Sequence, residues 1–266
     1  DGMAIANGIP NNPTYGGQLY SKLFGIQDCS DPDFGWMQGY DKWYSAMFNR
    51  LESDAFFPQS VKTEEGREAV KQWLWNHGGN PDYPGGGICN VDVASKMTMG
   101  KIPASLENYK LGVTGKKYVA RWGDTFDHEL TLVGYDDRIE FDLDGNGIYG
   151  EENNQLGQNE TGAWIVANSW GSGWGNNGIF YVPYPMAGGV SLEVTTNEGK
   201  TAYKDKAGGW WPEVYYLRQN YKPTRTMKVT MQYSKRSEIS AVAGASQDTT
   251  ATKPEKEFVF RYINYT

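Results

Sequence analysis

Short apolar runs in the middle of the chain, separated by glycine- and asparagine-rich turns, have the pattern of β-strands. They are Ile88–Val93, a segment that starts near His128, Ala163–Asn168 and Ile179–Val182. Runs of roughly four to eight apolar and β-branched residues between turn residues are typical of buried strands. We therefore predict that residues 88–182 build a β-sheet.

Two earlier segments carry apolar residues at helical spacing instead. The first runs from Trp36 to Leu51, and its apolar positions recur every three or four residues. In the second, Thr63 can cap the N-terminus, and two glutamates that follow it favour the positive end of the helix dipole. His77 precedes two glycines, which is typical of a helix C-terminus. We predict a helix in each segment and interpret His77 as a structural cap.

The end of the chain has a different pattern. Residues 187–221 are predicted to be irregular except for a short strand, Val214–Leu217. After them, apolar and polar residues alternate from Met227 to Tyr233, and two further strands are predicted at Ile239–Ala243 and Phe258–Tyr262. Three strands are marginal for an independent domain. We predict a main α+β domain over residues 1–221 and a β-sandwich-like segment over 222–266, which either continues beyond Thr266 or docks on the main domain.

Composition excludes several classes of function. The 266 residues carry a net charge of −7 without a basic stripe, which argues against nucleic-acid binding. No apolar run approaches the roughly 20 residues of a membrane span. Two cysteines and two histidines define neither a disulfide framework nor a transition-metal cluster. The acidic, aromatic composition favours a secreted or cell-surface protein, and a start at Asp1 fits a processed or excised piece as well as a designed one.

His128 and Asn168 are the candidate catalytic pair. The two residues are 40 positions apart, so neither one strand nor one helix can bring them together. Two adjacent antiparallel strands can do so, with the histidine and the asparagine at matching ends. A hydrogen bond between their side chains would fix one imidazole tautomer and leave the other ring nitrogen facing a reactive group.

The residues around this pair form a specific set of motifs. They comprise Asp127-His128, Val133-Gly134-Tyr135, Asn168-Ser169-Trp170-Gly171, Gly173-Trp174-Gly175 and Gly178. With this spacing, the region 126–184 resembles the papain family of cysteine peptidases. Asn7–Pro10 also looks like the turn that follows the helical lobe of that family, and the run into Cys89–Val93 looks like its Gly-Pro-Val strand. The resemblance implies a papain-like α+β fold, mainly its antiparallel β-barrel-like lobe with a few helices.

The resemblance also implies roles for individual residues. In the papain family a thiolate attacks the peptide carbonyl, and a histidine protonates the leaving amine. By position, His128 would be the general acid and base, and Asn168 would orient its ring. Trp170 would shield the hydrogen bond between them from water, and Trp174 would line the leaving-group side of the cleft. The implied substrate is a protein or a peptide.

The nucleophile of that family has no counterpart motif in this chain, because the Gln…Cys-Gly-Ser-Cys-Trp run is absent. Aspartates beside Cys29 disfavour a thiolate there, and Cys89 lies in an apolar strand where a thiol would be inert. We therefore expect the catalytic cysteine on an N-terminal segment or chain upstream of Asp1. The chain is then either the C-terminal part of an endopeptidase or an inactive papain-like module that binds a peptide or a partner protein.

An acidic segment between the two central strands resembles a calcium-binding loop. Asp142, Asp144 and Asn146 occupy positions 1, 3 and 5 of the EF-hand pattern, glycine follows at position 6, and the Ile148 carbonyl stands at position 7. Position 12 lacks the usual glutamate, so Glu151 or Glu152 has to substitute, and we assign Glu152. We predict a structural calcium ion that stiffens the hairpin. The alternative is a solvated acidic hairpin tip.

Overall fold

A computed structural model describes residues 48–82, 85–218, 222, 229, 232–234 and 242–259. Residues 54–216 form one compact unit, and residues 48–53 belong with those after 216 to another. The fold is mixed, with many strands and few helices, as the predicted α+β class requires. The predicted boundary at residue 221, the barrel-like lobe and the C-terminal sandwich stay predictions.

The described part of the chain contains twelve strands and two α-helices. In chain order they are β1 (Leu51–Phe56), α1 (Glu64–Asn76), β2 (Cys89–Val93), β3 (Thr98–Lys101), α2 (Leu106–Lys110), β4 (Lys117–Arg121), β5 (His128–Glu140), β6 (Thr161–Ala167), β7 (Ile179–Pro183), β8 (Ser191–Thr195), β9 (Thr201–Asp205), β10 (Glu213–Leu217), β11 (Val242–Ala245) and β12 (Lys256–Val259). Short 3₁₀ turns follow α1 at His77–Gly79 and β7 at Tyr184–Met186.

Eight of these strands form one sheet in the order β1-β10-β2-β5-β6-β7-β4-β3. The strands β5, β6 and β7 pair antiparallel, whereas β4 pairs with β7 in parallel, with Tyr118 opposite Tyr181. Register shifts interrupt the long β5–β6 ladder, so β5 contains bulges. The strands β8 and β9 form a separate two-stranded sheet, and so do β11 and β12.

The main core lies on one face of this sheet, against α1. Alternate residues of β2 and β5 point into it, and the strands β6 and β7 add further apolar side chains. Val70 and Leu74 of α1 are buried in the same cluster, and the Trp73 Nε1–H donates to the Ile88 carbonyl at 3.0 Å. Burial of large apolar side chains stabilises such a core by roughly 1.5–3 kcal/mol each. The sheet therefore offers a rigid support for side chains at its strand ends.

The structure confirms the predicted second helix and its caps. The Thr63 hydroxyl accepts the Gly66 N–H at 3.0 Å, as an N-cap does. His77 ends the helix with a positive φ of 52°, and its Nδ1 lies 2.6 Å from the Gly85 carbonyl oxygen. The strands predicted around residues 88–93, 163–168, 179–182 and 214–217 are also present.

Other predictions fail or fall on undescribed residues. The prediction that residues 187–221 are irregular apart from one strand is wrong, because β8 and β9 form a hairpin there. The predicted helix Trp36–Leu51 lies mostly outside the described residues, and its last residue begins β1. Met227 and Met231 are likewise outside them, and the described Val229 and Tyr233 are not in a strand. The strands β11 and β12 overlap the two later predicted strands only at residues 242–243 and 258–259, and residues 239–241 and 260–262 lie outside the described residues.

Candidate active site

The predicted pair lies at one end of the β5–β6 ladder. His128 is the first residue of β5 and stands opposite Val93 of β2. Asn168 directly follows β6, whose Ala167 stands opposite Thr131. The Asn168 backbone N–H donates to the Gly178 carbonyl at 2.9 Å, which closes the loop between β6 and β7. Antiparallel pairing thus brings together two residues that are 40 positions apart in sequence.

The two side chains are within hydrogen-bond distance. His128 Nε2 lies 3.0 Å from Asn168 Oδ1. An amide oxygen can only accept, so Nε2 carries the hydrogen in this pair. The neutral ring then has its lone pair at Nδ1, which is the nitrogen that can take a proton from a nucleophile. The geometry therefore fixes the tautomer that general-base chemistry at Nδ1 needs.

Two tryptophans lie near this pair: Trp170 stacks on the imidazole, and Trp174 packs against Trp170. The Trp170 ring stacks on the His128 ring with centroids 5.1 Å apart and an interplanar angle of 24°. Trp170 itself is 46% exposed. Trp174 meets Trp170 edge-on at 5.1 Å and packs on Phe180 of the core at 5.2 Å. Trp174 therefore anchors the exposed Trp170 to the core. Their predicted roles toward substrate stay predictions.

The Asn168 amide is also the site of an unpaired polar group. Its Nδ2 is buried and has no hydrogen-bond partner among the described residues. An unsatisfied buried donor costs about 1–3 kcal/mol.

A second polar contact fixes the chain just before His128. The Ser95 backbone N–H and hydroxyl donate to the Asp127 carboxylate at 2.6 and 2.9 Å. The backbone hydrogen bond from Ser95, followed by that from its hydroxyl, lowers the pKa of Asp127 below its usual range. Sequence reasoning noted Asp127 only as part of a motif and missed Ser95. The 32 positions between them hide the contact, and only the β2–β5 pairing reveals it.

The described cysteine is not placed to attack a substrate beside His128. Cys89 stands opposite Leu132, four positions along β2 from Val93, which is opposite His128. At about 3.3 Å per residue, that separation is about 13 Å. Burial raises the pKa of the Cys89 thiol, and the residue is only 1% exposed. Cys29 lies outside the described residues.

The predicted metal ligands are only partly brought together. Carboxylate oxygens of Asp142, Asp144 and Glu160 lie within 4.8 Å of one another. Glu152 is exposed and is not part of this group, and the Ile148 side chain is 58% exposed. The Asn146 Nδ2–H donates to the Asp144 carboxylate at 3.3 Å, so Asn146 lies beside the acidic group. Sequence reasoning missed Glu160, because it follows the end of the 12-residue loop pattern.

Comparisons with known sequences agree with this arrangement. Residues 90–197 match the family model described as papain family cysteine protease. Mouse pro-cathepsin H is 36% identical over 74 residues, which are 28% of this chain and 16% of that protein. The predicted resemblance to the papain family is thus confirmed for the segment that holds His128 and Asn168.

Solved structures that match part of the chain come from Plasmodium falciparum. One SERA5E structure has a TM-score of 0.31 and 15% identity, over 74% of this chain and 61% of that one. The SERA5 proenzyme has a TM-score of 0.24 and 19% identity, over 50% of this chain and 24% of that one. The chain therefore spans less than two thirds of the relatives it matches. Among the described residues, no helix combines the length and the apolar character that a membrane span requires.

Proposed function

We propose, on the premise that residues 90–197 are a papain-family segment, that they form the histidine–asparagine half of a cysteine endopeptidase site. The observation that carries this proposal is the hydrogen bond of 3.0 Å between His128 Nε2 and Asn168 Oδ1. It leaves Nδ1 as the nitrogen that exchanges protons with a thiol. The substrate class is a protein or a peptide.

In the proposed reaction His128 Nδ1 takes the proton of a cysteine thiol and forms a thiolate–imidazolium pair. The thiolate attacks the peptide carbonyl carbon, and the imidazolium gives its proton to the nitrogen of the leaving amine as the C–N bond breaks. Water then attacks the acyl-enzyme, with His128 as general base, and releases the carboxylic acid and the thiol. Asn168 holds the ring in place, and Trp170 excludes water from their hydrogen bond.

The thiol in this proposal is supplied by a residue other than Cys89. Burial, the raised pKa and the register along β2 all disfavour Cys89 as the nucleophile. We propose that an upstream segment or chain brings the thiol to the open side of the imidazole. A secreted or cell-surface location is part of the same proposal and rests on composition.

A second candidate function is an inactive papain-like module that binds a peptide or a partner protein. It is favoured by one observation: within the described residues, the structure places no cysteine against His128. The exposed Trp170 would then be a contact surface for the bound chain. The two candidates differ in whether a thiol reacts at this site.

The test uses the full natural protein, an epoxysuccinyl peptide that alkylates reactive thiols, and a fluorogenic peptide substrate. We expect stoichiometric labelling, and a decrease in kcat/KM of at least about 1,000-fold in His128→Ala, because the general acid and base is lost. His77→Ala is the matched control, since His77 is the other histidine of the chain and caps α1. It should retain the wild-type rate.

Mass spectrometry of the labelled peptide then locates the nucleophile. We expect the label outside residues 1–266, and no labelling of a protein that consists of these residues alone. Stoichiometric labelling of Cys29 in the isolated chain would contradict the expected position of the thiol. Full activity in His128→Ala would overturn the endopeptidase proposal. Absence of both label and hydrolysis in the full protein would support the binding module instead.

A further inference from the structure

Three acidic side chains converge where the chain leaves β5 and enters β6. Asp142 and Asp144 follow β5, Glu160 precedes β6, and one carboxylate oxygen from each lies within 4.8 Å of the other two. Asp144 is 1% exposed and Glu160 is fully buried. Burial of a carboxylate is costly, and the approach of three of them, two buried and Asp142 half-buried, adds mutual repulsion. The arrangement needs a compensating positive charge.

The hydrogen bonds around these carboxylates leave specific oxygens unused. Glu160 Oε1 accepts the Leu143 N–H and an Asn154 Nδ2–H, each at 2.7 Å. Glu160 Oε2 is buried without a partner among the described residues, and so is Asp142 Oδ1. The backbone thus orients one oxygen of Glu160 and leaves the other free to bind a ligand. A buried, unpartnered carboxylate oxygen is an observation independent of the acidic cluster itself.

Protein cations do not neutralise this group. Across the described ranges, no lysine or arginine nitrogen lies within 4.0 Å of a carboxylate oxygen of Asp142, Asp144 or Glu160. The nearby Lys200 donates its Nζ–H to the Gly145 carbonyl and pairs with Glu198 at 3.7 Å. Burial raises the pKa of Glu160, and the neighbouring charge of Asp144 acts in the same direction.

We propose that Asp142, Asp144 and Glu160 bind a calcium ion, with Glu160 in the place that the sequence pattern gave to Glu152. Oxygen ligands suit a hard divalent cation, and a separation of up to 4.8 Å equals twice the Ca–O distance of about 2.4 Å. Magnesium requires near-ideal octahedral geometry and keeps most of its waters, so a set of three protein carboxylates favours calcium. The ion would complete its shell with carbonyl oxygens or water.

The position of the site indicates a structural role. The Phe141 N–H donates to the Glu160 carbonyl at 2.9 Å, so the ligands lie on both sides of the closed base of this loop. His128 is at the opposite end of β5, 12 residues away, which is at most about 40 Å at about 3.3 Å per residue. The ion therefore joins the end of β5 to the start of β6 without contact with the candidate active site. The inference does not depend on the proposed peptidase activity.

The test is thermal unfolding of the 266-residue chain in EGTA, in calcium chloride and in magnesium chloride. We expect calcium at about 100 times its Kd to raise the Tm by about 5–10 °C, and magnesium to have little effect. In Glu160→Gln the calcium affinity should fall by at least about tenfold, measured by calorimetric titration. Glu152→Gln is the control, because Glu152 is exposed and outside the cluster. It should bind calcium as the wild type does.

The stability of Glu160→Gln in EGTA distinguishes a metal site from a merely structural glutamate. The amide oxygen can still accept the Leu143 and Asn154 donors, and one of three like charges is gone. We expect its Tm in EGTA to equal or exceed that of the wild type. An equal response to calcium in Glu160→Gln and the wild type would overturn the proposal. So would the absence of any calcium response in the wild type.

Discussion

At the scale of single residues, the two polar atoms of the Asn168 side chain have different environments. Its side chain orients His128 through Oδ1, while its Nδ2 is buried and has no described partner. The position therefore fits a residue whose role is to hold the imidazole in one orientation.

The hydrogen bond between His128 and Asn168 predicts the effect of Asn168→Ala in the full natural protein. We expect kcat to fall by about 10–100-fold with KM nearly unchanged, because ring orientation matters in the transition state and not in substrate binding. Steady-state kinetics with a fluorogenic peptide measures both constants. A larger effect on KM than on kcat would contradict a positioning role for Asn168.

Asp137 makes a pH-dependent contribution to stability. Lys71 Nζ lies 2.7 Å from Asp137 Oδ1, and the Tyr184 hydroxyl donates to the same oxygen at 2.5 Å. Partial burial acts to raise the pKa of Asp137, but these two hydrogen bonds and the charges of Lys71 and Arg67 lower it overall. A carboxyl with a lowered folded pKa stabilises the fold above its unfolded pKa of about 3.9.

We therefore expect Asp137→Asn to lower the free energy of unfolding by about 1 kcal/mol at neutral pH, a value discounted for the partial exposure of the pair. The difference from the wild type should shrink as the pH falls below about 4 and through the lowered pKa of Asp137. Urea unfolding at a series of pH values measures it. Asp54→Asn, at an exposed position of β1, is the control. A difference that grows toward acid would refute the assignment.

At the scale of elements, the start of β6 depends on a glycine. Gly162 has φ +94°, and a Cβ there would lie 2.3 Å from Cε2 of the Tyr184 ring. Tyr184 in turn packs edge-on against Trp164 of β6 at 5.0 Å. The close approach of a rigid ring and the positive φ both require the absence of a side chain.

Gly162→Ala is expected to lower the free energy of unfolding by about 2–4 kcal/mol, because strain at positive φ and overpacking against Tyr184 add together. Gly115→Ala separates the two causes. Gly115 also has a positive φ of 75°, but a Cβ there would meet nothing within 4 Å. It should cost only about 1 kcal/mol. Denaturant unfolding of both variants tests this, and equal losses would show that the Tyr184 contact is unimportant.

Elements were predictable where burial and sequence pattern agree. The α1 helix has its capping threonine and its buried stripe in sequence, and the structure confirms both, whereas at its C-terminus His77 takes the positive φ before Gly78 does. The β8–β9 hairpin was missed because its pattern is inverted: Ser191 is buried, whereas Leu192 is 49% exposed. Tertiary contacts decide that inversion, since the Ser191 hydroxyl accepts the Trp122 N–H at 2.8 Å.

The candidate site was predictable only as far as its motifs reach. His128 and Asn168 stand in motifs that resemble those of the papain family, so their pairing could be expected from sequence. Ser95 donates to Asp127, which is 32 positions away, and Glu160 accepts the N–H of Leu143, which is 17 positions away. Nothing local in the sequence distinguishes Ser95 and Glu160 from other polar residues. Contacts of this kind depend on strand register, which the sequence specifies only through the whole sheet.

At the scale of the whole molecule, the β5–β6 hairpin separates two groups of polar side chains. The histidine–asparagine pair lies at one end of the ladder, and the cluster of three carboxylates lies beyond the other end. Between them, Leu132 and Val166 are fully buried and stand opposite each other. A rigid core thus keeps the acidic cluster away from the His128 imidazole.

The order of strands in the main sheet has a consequence for synthesis on the ribosome. The strand β2 lies between β5 and β10. One of its edges therefore stays unpaired until residues 213–217, more than a hundred positions later in the chain, have been synthesised. Until those residues emerge, β2 presents unpaired backbone groups beside the apolar Val91 and Val93. A nascent chain of this length is therefore exposed to aggregation, and chaperone contact with β2 would protect it until β10 arrives.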